Sequence, residues 1–332
     1  MKKIRVGVLG ATGTVGQRFV QLLAGHPWFE IVGLAASGRS SGQRYAEACH
    51  WLLASPMPDD VADLVVQDLA PSLDCQLVFS ALPSSVAGPV EEEFARAGYA
   101  VCSNAASHRM DLDVPLLIPE VNSGHIALIG AQRRLRRWEG LIVTSANCTT
   151  TQLALALKPL QGAFGLVRLS VVTLQAISGA GYPGVPSADI LGNIVPYISG
   201  EEEKVEGESR KLLGKLGEDE IHNASFVVSA QCNRVPVRDG HTECLSLEFE
   251  AEPSLTDVIA ALEGFRGPGG VSQLPSSPRQ PIVVRQEPDR PQPLRDVEES
   301  AGMSIVVGRV RPCPIFDFKM VVLGHNTVRG AA

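Results

Sequence analysis

The stretch that decides the fold is Ile4-Arg5-Val6-Gly7-Val8-Leu9-Gly10-Ala11-Thr12-Gly13-Thr14-Val15-Gly16, close to the start of the chain. Its first six residues form a short apolar run typical of a buried β-strand, and a helical pattern follows over residues 15–23. A second apolar run at residues 30–36 completes a strand–helix–strand unit whose first turn is rich in glycine. Such a unit predicts a parallel sheet covered by helices on both faces.

The pattern of elements changes near residue 147, which divides the chain into two predicted domains. Before that point, apolar strands at residues 77–82 and 99–103 flank a helix at residues 84–97, as expected for a parallel sheet. Beyond it, longer alternating runs with fewer helices between them predict the mixed or antiparallel sheet of an α+β domain. The elements predicted there are a helix at 149–157, strands at 166–176, 226–237 and 242–251, a helix at 257–264 opened by a capping box of Ser254 and Asp257, and strands at Ile282–Arg285 and 304–310.

The composition is that of a soluble globular protein. The chain has 332 residues, of which 45% are hydrophobic and 20% are charged, and two packed domains are expected at this length. A net charge of −7 argues against nucleic acid or an anionic membrane as the main partner. The seven cysteines contain no C-x-x-C pair, which favours free thiols over disulfides or a metal site. With no signal-peptide pattern and no membrane-length apolar stretch, we expect a cytoplasmic protein.

The glycine-rich turn after the first strand predicts a dinucleotide site. Its glycines allow a tight turn and a close approach to a pyrophosphate, which the N–H groups at the start of the following helix can hold. The spacing G-x-x-G-x-x-G is one residue longer than the usual fingerprint, and a plain glycine turn is the alternative, but the position between strand and helix favours nucleotide binding. The predicted contacts are Gly10, Ala11, Thr12, Gly13, Thr14, Val15 and Gly16, together with Ser80 from the strand at 77–82.

The end of the second strand indicates which nicotinamide cofactor binds. An NAD enzyme tends to place Asp or Glu there to accept the ribose 2′-hydroxyl group. This chain instead has Ala35-Ala36-Ser37-Gly38-Arg39-Ser40-Ser41, in which Ser37, Arg39 and Ser40 can donate to a 2′-phosphate. A solvated arginine in a Ser/Gly loop is the alternative interpretation. We predict NADP.

Cys148 is the candidate nucleophile. It lies in Ser145-Ala146-Asn147-Cys148-Thr149-Thr150, between an apolar run and a helical pattern. A thiol at a helix N-terminus is expected to have a lowered pKa, because the helix dipole and nearby N–H groups stabilise the thiolate. The same donors, with Asn147, could stabilise an oxyanion as an acyl group is attacked. Free cysteines are more often small buried hydrophobes, which is the interpretation we give the other six.

His241 is the candidate proton carrier for that thiol. It lies in Pro236-Val237-Arg238-Asp239-Gly240-His241-Thr242, at a turn between two strand patterns. An imidazole can protonate or deprotonate the oxygen of a hemithioacetal during hydride transfer. A surface histidine is the alternative, since nothing in the sequence alone brings His241 close to Cys148.

Together these residues resemble the aspartate-semialdehyde dehydrogenase family, and most closely its archaeal and fungal branch. The resemblance covers nearly the whole chain in order, because each of its motifs has a counterpart here. The matching segments are residues 10–16, 36–42, 114–122 (Val-Pro-Leu-Leu-Ile-Pro-Glu-Val-Asn), 147–150 (Asn-Cys-Thr-Thr), 175–181 (Gln-Ala-Ile-Ser-Gly-Ala-Gly), 200–204 (Gly-Glu-Glu-Glu-Lys), 234–237 (Arg-Val-Pro-Val) and 325–331 (His-Asn-Thr-Val-Arg-Gly-Ala).

The resemblance implies a role for each matching residue. Cys148 matches the nucleophile and His241 the acid/base. The other implied contacts are Arg234 with the substrate α-carboxylate, Gln175 as an active-site glutamine, Glu201 with the α-ammonium group, Lys204 and Arg109 with phosphate, Asn147 with substrate, and Asn326 with the cofactor. From the residues alone, Glu201-Glu202-Glu203-Lys204 is a solvated charge run, and which glutamate faces the substrate stays open.

The resemblance also implies an architecture and a reaction. The fold is α/β: a Rossmann-like NADP-binding domain at residues 1–147, completed by the C-terminal segment 315–332, and an α+β catalytic and dimerisation domain at residues 148–314. The implied assembly is a homodimer or homotetramer. The implied reaction is the reductive dephosphorylation of L-aspartyl-4-phosphate to L-aspartate 4-semialdehyde, in the biosynthesis of lysine, threonine and methionine.

Two departures from the family pattern leave alternatives open. Thr144-Ser145-Ala146-Asn147 stands where the family commonly has Asn-Pro before Asn-Cys, and the order of residues near Pro291-Gln292-Pro293-Leu294-Arg295-Asp296 is altered. A related enzyme such as a malonyl-CoA reductase would keep Cys148, His241 and the NADP loop but would not need Glu201. A non-catalytic NADP-binding sensor is the other alternative.

Overall fold

A seven-stranded parallel sheet forms the first domain of the structure, a computed structural model that describes residues 2–332. Its strands are β1 (Ile4–Leu9), β2 (Phe29–Ala35), β3 (Val66–Gln67), β4 (Leu77–Ser80), β5 (Ala100–Ser103), β6 (Leu116–Leu117) and β7 (Leu141–Ser145). In space they are ordered β3-β2-β1-β4-β5-β7-β6, and every neighbouring pair is parallel. The chain order reverses between β1 and β4, so the loops after these strands open a crevice of the kind in which such sheets bind ligands.

Helices cover both faces of this sheet. The helices of this part of the chain are α1 (Thr14–Leu23), α2 (Tyr45–Ala48), α3 (Asp59–Ala62), α4 (Ser84–Arg96), α5 (Pro119–Asn122) and α6 (Ile129–Arg136), with a 3₁₀ turn at Ser123–Leu128. Of these, α5 packs against the first helix of the second domain. Val8 packs in one apolar layer with Val20 of α1, while its neighbour Leu9 packs in the other with Phe94 of α4. Neighbouring residues of a strand point to opposite faces, so β1 is buried on both sides and has to be apolar throughout its centre.

A six-stranded mixed sheet forms the second domain. Its order is β11-β8-β12-β15-β14-β13, with only the two outer pairs parallel. The strands are β8 (Leu166–Gln175), β11 (Val227–Arg234), β12 (His241–Phe249), β13 (Ile282–Arg285), β14 (Ile305–Pro312) and β15 (Phe318–Gly324), and β9 (Lys215–Leu216) pairs separately with β10 (Ile221–His222). The helices are α7 (Cys148–Phe164), α8 (Ser187–Ile190), α9 (Glu201–Leu212), α10 (Leu255–Gly264) and α11 (Pro293–Asp296), with 3₁₀ turns at Ile177–Ala180 and Val271–Gln273.

The central helix α7 links the two domains. It begins three residues after β7 ends and runs through the main apolar core, where Leu153, Leu157 and Leu160 are fully buried. It ends at Phe164 and is capped by Gly165, whose φ of 66° is a left-handed value that favours glycine. A helix that is buried on most of its sides can hold its first residue, Cys148, in a fixed position between the domains.

The expected fold class is confirmed: a parallel sheet domain precedes a mixed α+β domain. The capping box of Ser254 and Asp257 is also present at the start of α10.

The predicted assignment of the C-terminal segment to the first domain was wrong in part. Strand β15 pairs with β12 and β14 in the second sheet, so residues 315–324 do not complete the first domain. Of the segment 315–332, only the residues after Gly324 line the cleft between the domains. Within residues 2–332, no helix has the length and apolar character needed to cross a membrane.

Candidate active site

Cys148 and His241 meet at the junction of the two domains. Cys148 is the first residue of α7 and His241 is the first residue of β12, and Sγ lies 3.3 Å from Nε2. The backbone N–H of Ala176 donates to Nδ1 of His241 at 3.0 Å. Nδ1 is therefore an acceptor, and the neutral ring has to carry its proton on Nε2, pointing at the sulfur of Cys148.

Burial favours the neutral form of both members of this pair. Burial, followed by the charges of Arg234 and His325, lowers the pKa of His241 to about 3. Burial and then the charge of Glu201 raise the pKa of Cys148 to about 12, against an opposing effect of Arg109. The expectation of a lowered thiol pKa was wrong for this state, because desolvation outweighs the charges and N–H groups that favour the thiolate.

Asn147 caps the helix that carries Cys148. Its Oδ1 accepts hydrogen bonds from the backbone N–H groups of Thr149 at 2.9 Å and Thr150 at 3.2 Å, and its Nδ2 donates to Oε1 of Glu201 at 3.0 Å. Of the donors that we expected to hold an oxyanion, the two N–H groups are thus used within the helix cap, whereas Nδ2 of Asn147 uses one N–H and keeps a second. Nε2 of His241 is a further donor and faces the sulfur of Cys148 directly.

Glu201 is the glutamate of the 201–203 run that lies in the site. Its Oε1 also accepts from Oγ1 of Thr149 at 3.3 Å and from Nε2 of Gln175 at 3.2 Å, and Nζ of Lys204 is 3.5 Å from its Oε2. Glu202 instead accepts from a backbone N–H of β11, and Glu203 is exposed. The first residue of α9 therefore places a buried carboxylate beside Cys148, and the interpretation of a wholly solvated charge run was wrong.

Two buried arginines place positive charge around the thiol. Nη1 of Arg109 donates to Oε1 of Glu208 at 3.1 Å, and Nη1 of Arg234 donates to the carbonyl oxygen of Ala176 at 2.8 Å. Both guanidinium charges act to lower the pKa of Cys148, although burial outweighs them. Each arginine keeps further N–H groups, so the pocket around the sulfur can bind anionic groups of a ligand.

A single cleft of about 1280 Å³ joins the glycine loop to the nucleophile. Thr14 and Val15 from the first domain and Cys148 at the domain junction line the same space, together with Arg109 and Asn147. The C-terminal residues His325, Asn326, Thr327, Val328, Gly330 and Ala331 form another wall. A ligand that bridges the two domains can therefore reach both the loop after β1 and the thiol.

The glycine loop has the geometry that the sequence predicts. Gly10 has a φ of 74°, and a Cβ at Gly16 would lie 2.2 Å from the carbonyl oxygen of Gly10, so neither position has room for a larger residue. Gly13 is exposed at the tip of the loop, directly before α1 begins at Thr14. Ala11 is buried, and its carbonyl oxygen accepts from the hydroxyl group of Tyr45 at 2.9 Å. The bare backbone at the start of α1 fits a phosphate-binding turn.

Ser37 and Arg39 are exposed and Ser40 is half-buried in the loop that follows β2, at the same end of the sheet as the glycine loop. Ser80 is placed differently from our prediction. It is fully buried, and its hydroxyl group donates to Oε1 of Glu91 at 2.6 Å. The side chain of Ser80 is therefore committed to the packing of α4 against the sheet and does not line the cleft.

Asn326 ties the C-terminal segment to the site. Its Oδ1 accepts from the backbone N–H of Gly240 at 2.9 Å, and its Nδ2 donates to Oγ of Ser178 at 2.9 Å. Both ends of the amide are used within the protein, although the residue lines the cleft. Asn326 thus fixes the residue that directly precedes His241.

Three further residues of the site were missed. Glu208 joins Arg109 to the backbone N–H of Asn147, which donates to its Oε2 at 2.6 Å. A Cβ at Gly179 would lie 2.8 Å from Cε1 of His241, and one at Gly330 would lie 2.6 Å from Cβ of Cys148. The sequence held one signal for these, because Glu208 follows Glu201 by two helical turns on the same face. No local pattern pointed to the two close glycine contacts.

The fold and the site together define a class of protein. A Rossmann-like sheet opens onto the same cleft as a cysteine–histidine pair, which is the arrangement of a nicotinamide-dependent dehydrogenase with a cysteine nucleophile. Comparison with known proteins agrees, since residues 5–129 match the semialdehyde dehydrogenase NAD binding domain and residues 157–329 match the semialdehyde dehydrogenase dimerisation domain.

Full-length relatives identify the family more closely. The chain is 52% identical to the aspartate-semialdehyde dehydrogenase of Archaeoglobus fulgidus, over 98% of this chain and 94% of that protein, and 46% identical to that of Saccharomyces cerevisiae, over 100% and 95%. The crystal structure of aspartate-semialdehyde dehydrogenase with NADP from Candida albicans superposes with a TM-score of 0.91 at 45% identity, covering 99% of this chain and 95% of that one. The chain belongs to the aspartate-semialdehyde dehydrogenase family, as the resemblance to its archaeal and fungal branch predicted.

Proposed function

We propose that this protein catalyses the reversible, NADP-dependent reductive dephosphorylation of L-aspartyl-4-phosphate to L-aspartate 4-semialdehyde through a thioacyl intermediate on Cys148. The observation that carries the proposal is the 3.3 Å contact between Sγ of Cys148, which lines the same cleft as Thr14 and Val15, and Nε2 of His241, which is buried behind it. A nucleophile within reach of both a hydrogen-bond donor and a dinucleotide loop is what acyl transfer followed by hydride transfer requires.

In the first step Sγ of Cys148 attacks the acyl carbon of the substrate. A C–S bond forms and the bond between carbon and the phosphate oxygen breaks. Because the thiol starts protonated and His241 has its Nδ1 occupied by a backbone donor, the thiol proton passes to the departing phosphate, which leaves as hydrogen phosphate. The charges of Arg109 and Lys204 are suited to hold that phosphate.

In the second step the thioester is reduced to the aldehyde. NADPH, when bound, supplies the hydride that the acyl carbon accepts. His241 donates its Nε2–H to the substrate oxygen, which stabilises the negative charge that develops there as the carbon becomes tetrahedral. The C–S bond then breaks as the carbonyl group re-forms, and the sulfur of Cys148 regains a proton from solvent.

The charged groups around the thiol support an amino-acid substrate. L-aspartyl-4-phosphate carries a carboxylate, an ammonium group and a phosphate. We assign Arg234 to the α-carboxylate and Glu201 to the α-ammonium group. Gln175 is assigned to the same pocket, because its Nε2 donates to Glu201. A malonyl-CoA substrate has no ammonium group and would gain nothing from the buried carboxylate of Glu201.

The proposed cofactor is NADP, and the residues present fit it. We assign residues 10–16 to the pyrophosphate, because Gly10, Gly13 and Gly16 carry no side chain and the loop leads directly into the N-terminus of α1. Ser37, Arg39 and Ser40 are assigned to the 2′-phosphate, and Asn326 to a contact near the nicotinamide end. No ion pair involves Arg39 within residues 2–332, so its charge is available to a ligand.

We further propose that the protein is a homo-oligomer, a dimer or tetramer, built on the uncovered face of its second sheet. A row of side chains runs across that face, in which Gln231, Val172, Cys244 and Val321 are aligned by the strand register. All four are half-buried or exposed, whereas the opposite face of the same strands packs against the helices. Light scattering of the purified protein checks this, and Val172→Lys is expected to reduce the assembly size.

The proposed place of the reaction is the cytoplasmic biosynthesis of lysine, threonine and methionine. Seven free cysteines suit a reducing compartment. The direct test is phosphate-dependent formation of NADPH from L-aspartate 4-semialdehyde and NADP, run beside malonyl-CoA with NADPH. Cys148→Ala is expected to lose at least about 10³-fold in kcat while still binding NADPH. Turnover of malonyl-CoA alone, or of neither substrate, would reject the proposal.

A further inference from the structure

We propose that Gln152 and Glu243 are positioning residues that hold Cys148 and His241 at their reactive separation, an inference that rests on the proposed function. The two side chains form a hydrogen-bonded pair next to Cys148 and His241, on the same helix and the same strand. Neither belongs to the motifs of the glycine loop, the nucleophile or the substrate pocket.

Gln152 connects the helix of the nucleophile to the strand of the histidine. Its Nε2 donates two hydrogen bonds, one to the backbone carbonyl oxygen of His241 at 3.0 Å and one to Oε1 of Glu243 at 2.8 Å. The residue is 1% exposed, so both bonds are shielded from water.

The contact between Gln152 and Glu243 joins the same helix and the same strand as the contact between Cys148 and His241. Gln152 follows Cys148 by four residues on α7, and Glu243 follows His241 by two residues on β12. Residues four apart on a helix share a face, as do residues two apart on a strand. The bond between Gln152 and Glu243 therefore fixes the same helix-to-strand distance that separates Sγ from Nε2.

Glu243 acts in this junction as a hydrogen-bond acceptor, through its Oε1. It is fully buried, its Oε2 has no partner within residues 2–332, and its charge would raise the pKa of the neighbouring thiols of Cys232 and Cys244. Burial raises the pKa of Glu243 well above its ordinary value, against the opposing hydrogen bond from Gln152. A glutamine at this position would keep the acceptor oxygen.

Gly324, at the end of β15, lies against the side chain of Gln152. It pairs with His241 across β12 and β15, and a Cβ there would lie 2.4 Å from Oε1 of Gln152. A bare backbone is thus required for Gln152 to reach the strand. Three elements meet at this amide, so its loss would let α7 and β12 shift relative to each other.

The test replaces the amide while keeping the shape of the side chain. Gln152→Met removes both hydrogen bonds, and kcat is expected to fall roughly 10- to 100-fold with little change in KM, because a shift of about 1 Å in a reacting group costs that much. Iodoacetamide alkylation of Cys148, which needs no substrate, is expected to slow as the Nε2–H of His241 moves away from the sulfur. Glu243→Gln is expected to retain most of the activity, and Glu243→Leu to behave like Gln152→Met.

Gln132 provides the matched control. It is fully buried and its amide also bonds to backbone atoms, at Asp113 and Ile142, but it touches neither catalytic residue. Gln132→Met is expected to lower the melting temperature without changing the alkylation rate of Cys148 or the kcat. If Gln152→Met loses only stability, as this control does, the inference is overturned. If the unmodified protein lacks the proposed activity, the alkylation comparison still decides between the two outcomes.

Discussion

The Sγ atom of Cys148 lies 3.3 Å from Nε2 of His241, although 93 residues separate them in the chain. The contact joins the first residue of a buried helix to the first residue of a central strand. Because a backbone N–H occupies Nδ1 of His241, the ring presents a proton to the sulfur and to any oxygen bound beside it. The pair is thus arranged as a hydrogen-bond donor facing a neutral thiol.

The first prediction concerns the role of His241 as a donor. In Gln the Nε2 atom can take the position of the imidazole Nε2 and donate a hydrogen bond, whereas Ala cannot donate. We expect His241→Ala to lower kcat by roughly 10²- to 10³-fold, as the loss of an oxyanion donor does, and His241→Gln to lower it much less. Steady-state kinetics in the phosphate-dependent assay measure both. Equal losses in the two variants would mean that His241 has to accept a proton.

The second prediction concerns the thiol of Cys148. Only the thiolate is alkylated, and burial raises the pKa of Cys148 to about 12. The alkylation rate in the unliganded protein should therefore rise about ten-fold per pH unit from pH 6 to pH 9 without a plateau. Cys313 is the internal comparison, since the backbone N–H groups of Ile315 and Phe316 lower its pKa. Mass spectrometry of each cysteine gives the two rates, and a plateau for Cys148 below pH 7 would contradict a neutral thiol.

The third prediction concerns how the buried carboxyl group of Glu243 makes the free energy of unfolding depend on pH. Its pKa is raised in the folded protein by burial, so the folded state binds a proton that the unfolded chain releases above a pKa near 4.5. The contribution of this proton to the free energy of unfolding is fully present below pH 4.5. It is lost as the pH rises toward the pKa of Glu243 in the folded protein. Glu243→Gln should therefore be more stable than the unmodified protein at neutral pH, by an amount that grows by up to about 1.4 kcal/mol per pH unit.

Melting temperatures from pH 4 to pH 8 check this prediction. Glu263→Gln is the matched control, because Glu263 is exposed on α10 and the same substitution there removes a carboxylate that is not buried. A constant difference for Glu243→Gln would show that Glu243 is ionised in the folded state.

The fourth prediction concerns the choice of cofactor. Arg39 is exposed in the loop after β2, where it is assigned to the 2′-phosphate. Hydrogen bonds to charged groups contribute about 1.5–3 kcal/mol, so Arg39→Ala should raise the KM for NADPH roughly 10- to 100-fold. NADH lacks the phosphate and serves as the control, because its KM should be unchanged. A similar rise for both cofactors would remove Arg39 from the phosphate site.

Much of the fold and part of the site followed from local patterns. The alternation of strands and helices predicted the parallel sheet, and the change of pattern near residue 147 predicted the second domain. The turn from Gly10 to Gly16 and the capping box at Ser254 were predicted correctly because a few neighbouring residues determine them. The resemblance to the family then supplied the long-range assignments that no local pattern contains.

The sequence by itself determined the glycine loop, the placement of Cys148 at a helix start and the order of the elements, since each depends on backbone preferences within a few residues. Only the tertiary structure decided that His241 reaches the thiol, that Glu201 rather than Glu203 enters the site, and that Ser80 does not. It also decided that the pKa of the Cys148 thiol is raised, against our expectation, because desolvation depends on what surrounds a group and not on its neighbours in the chain.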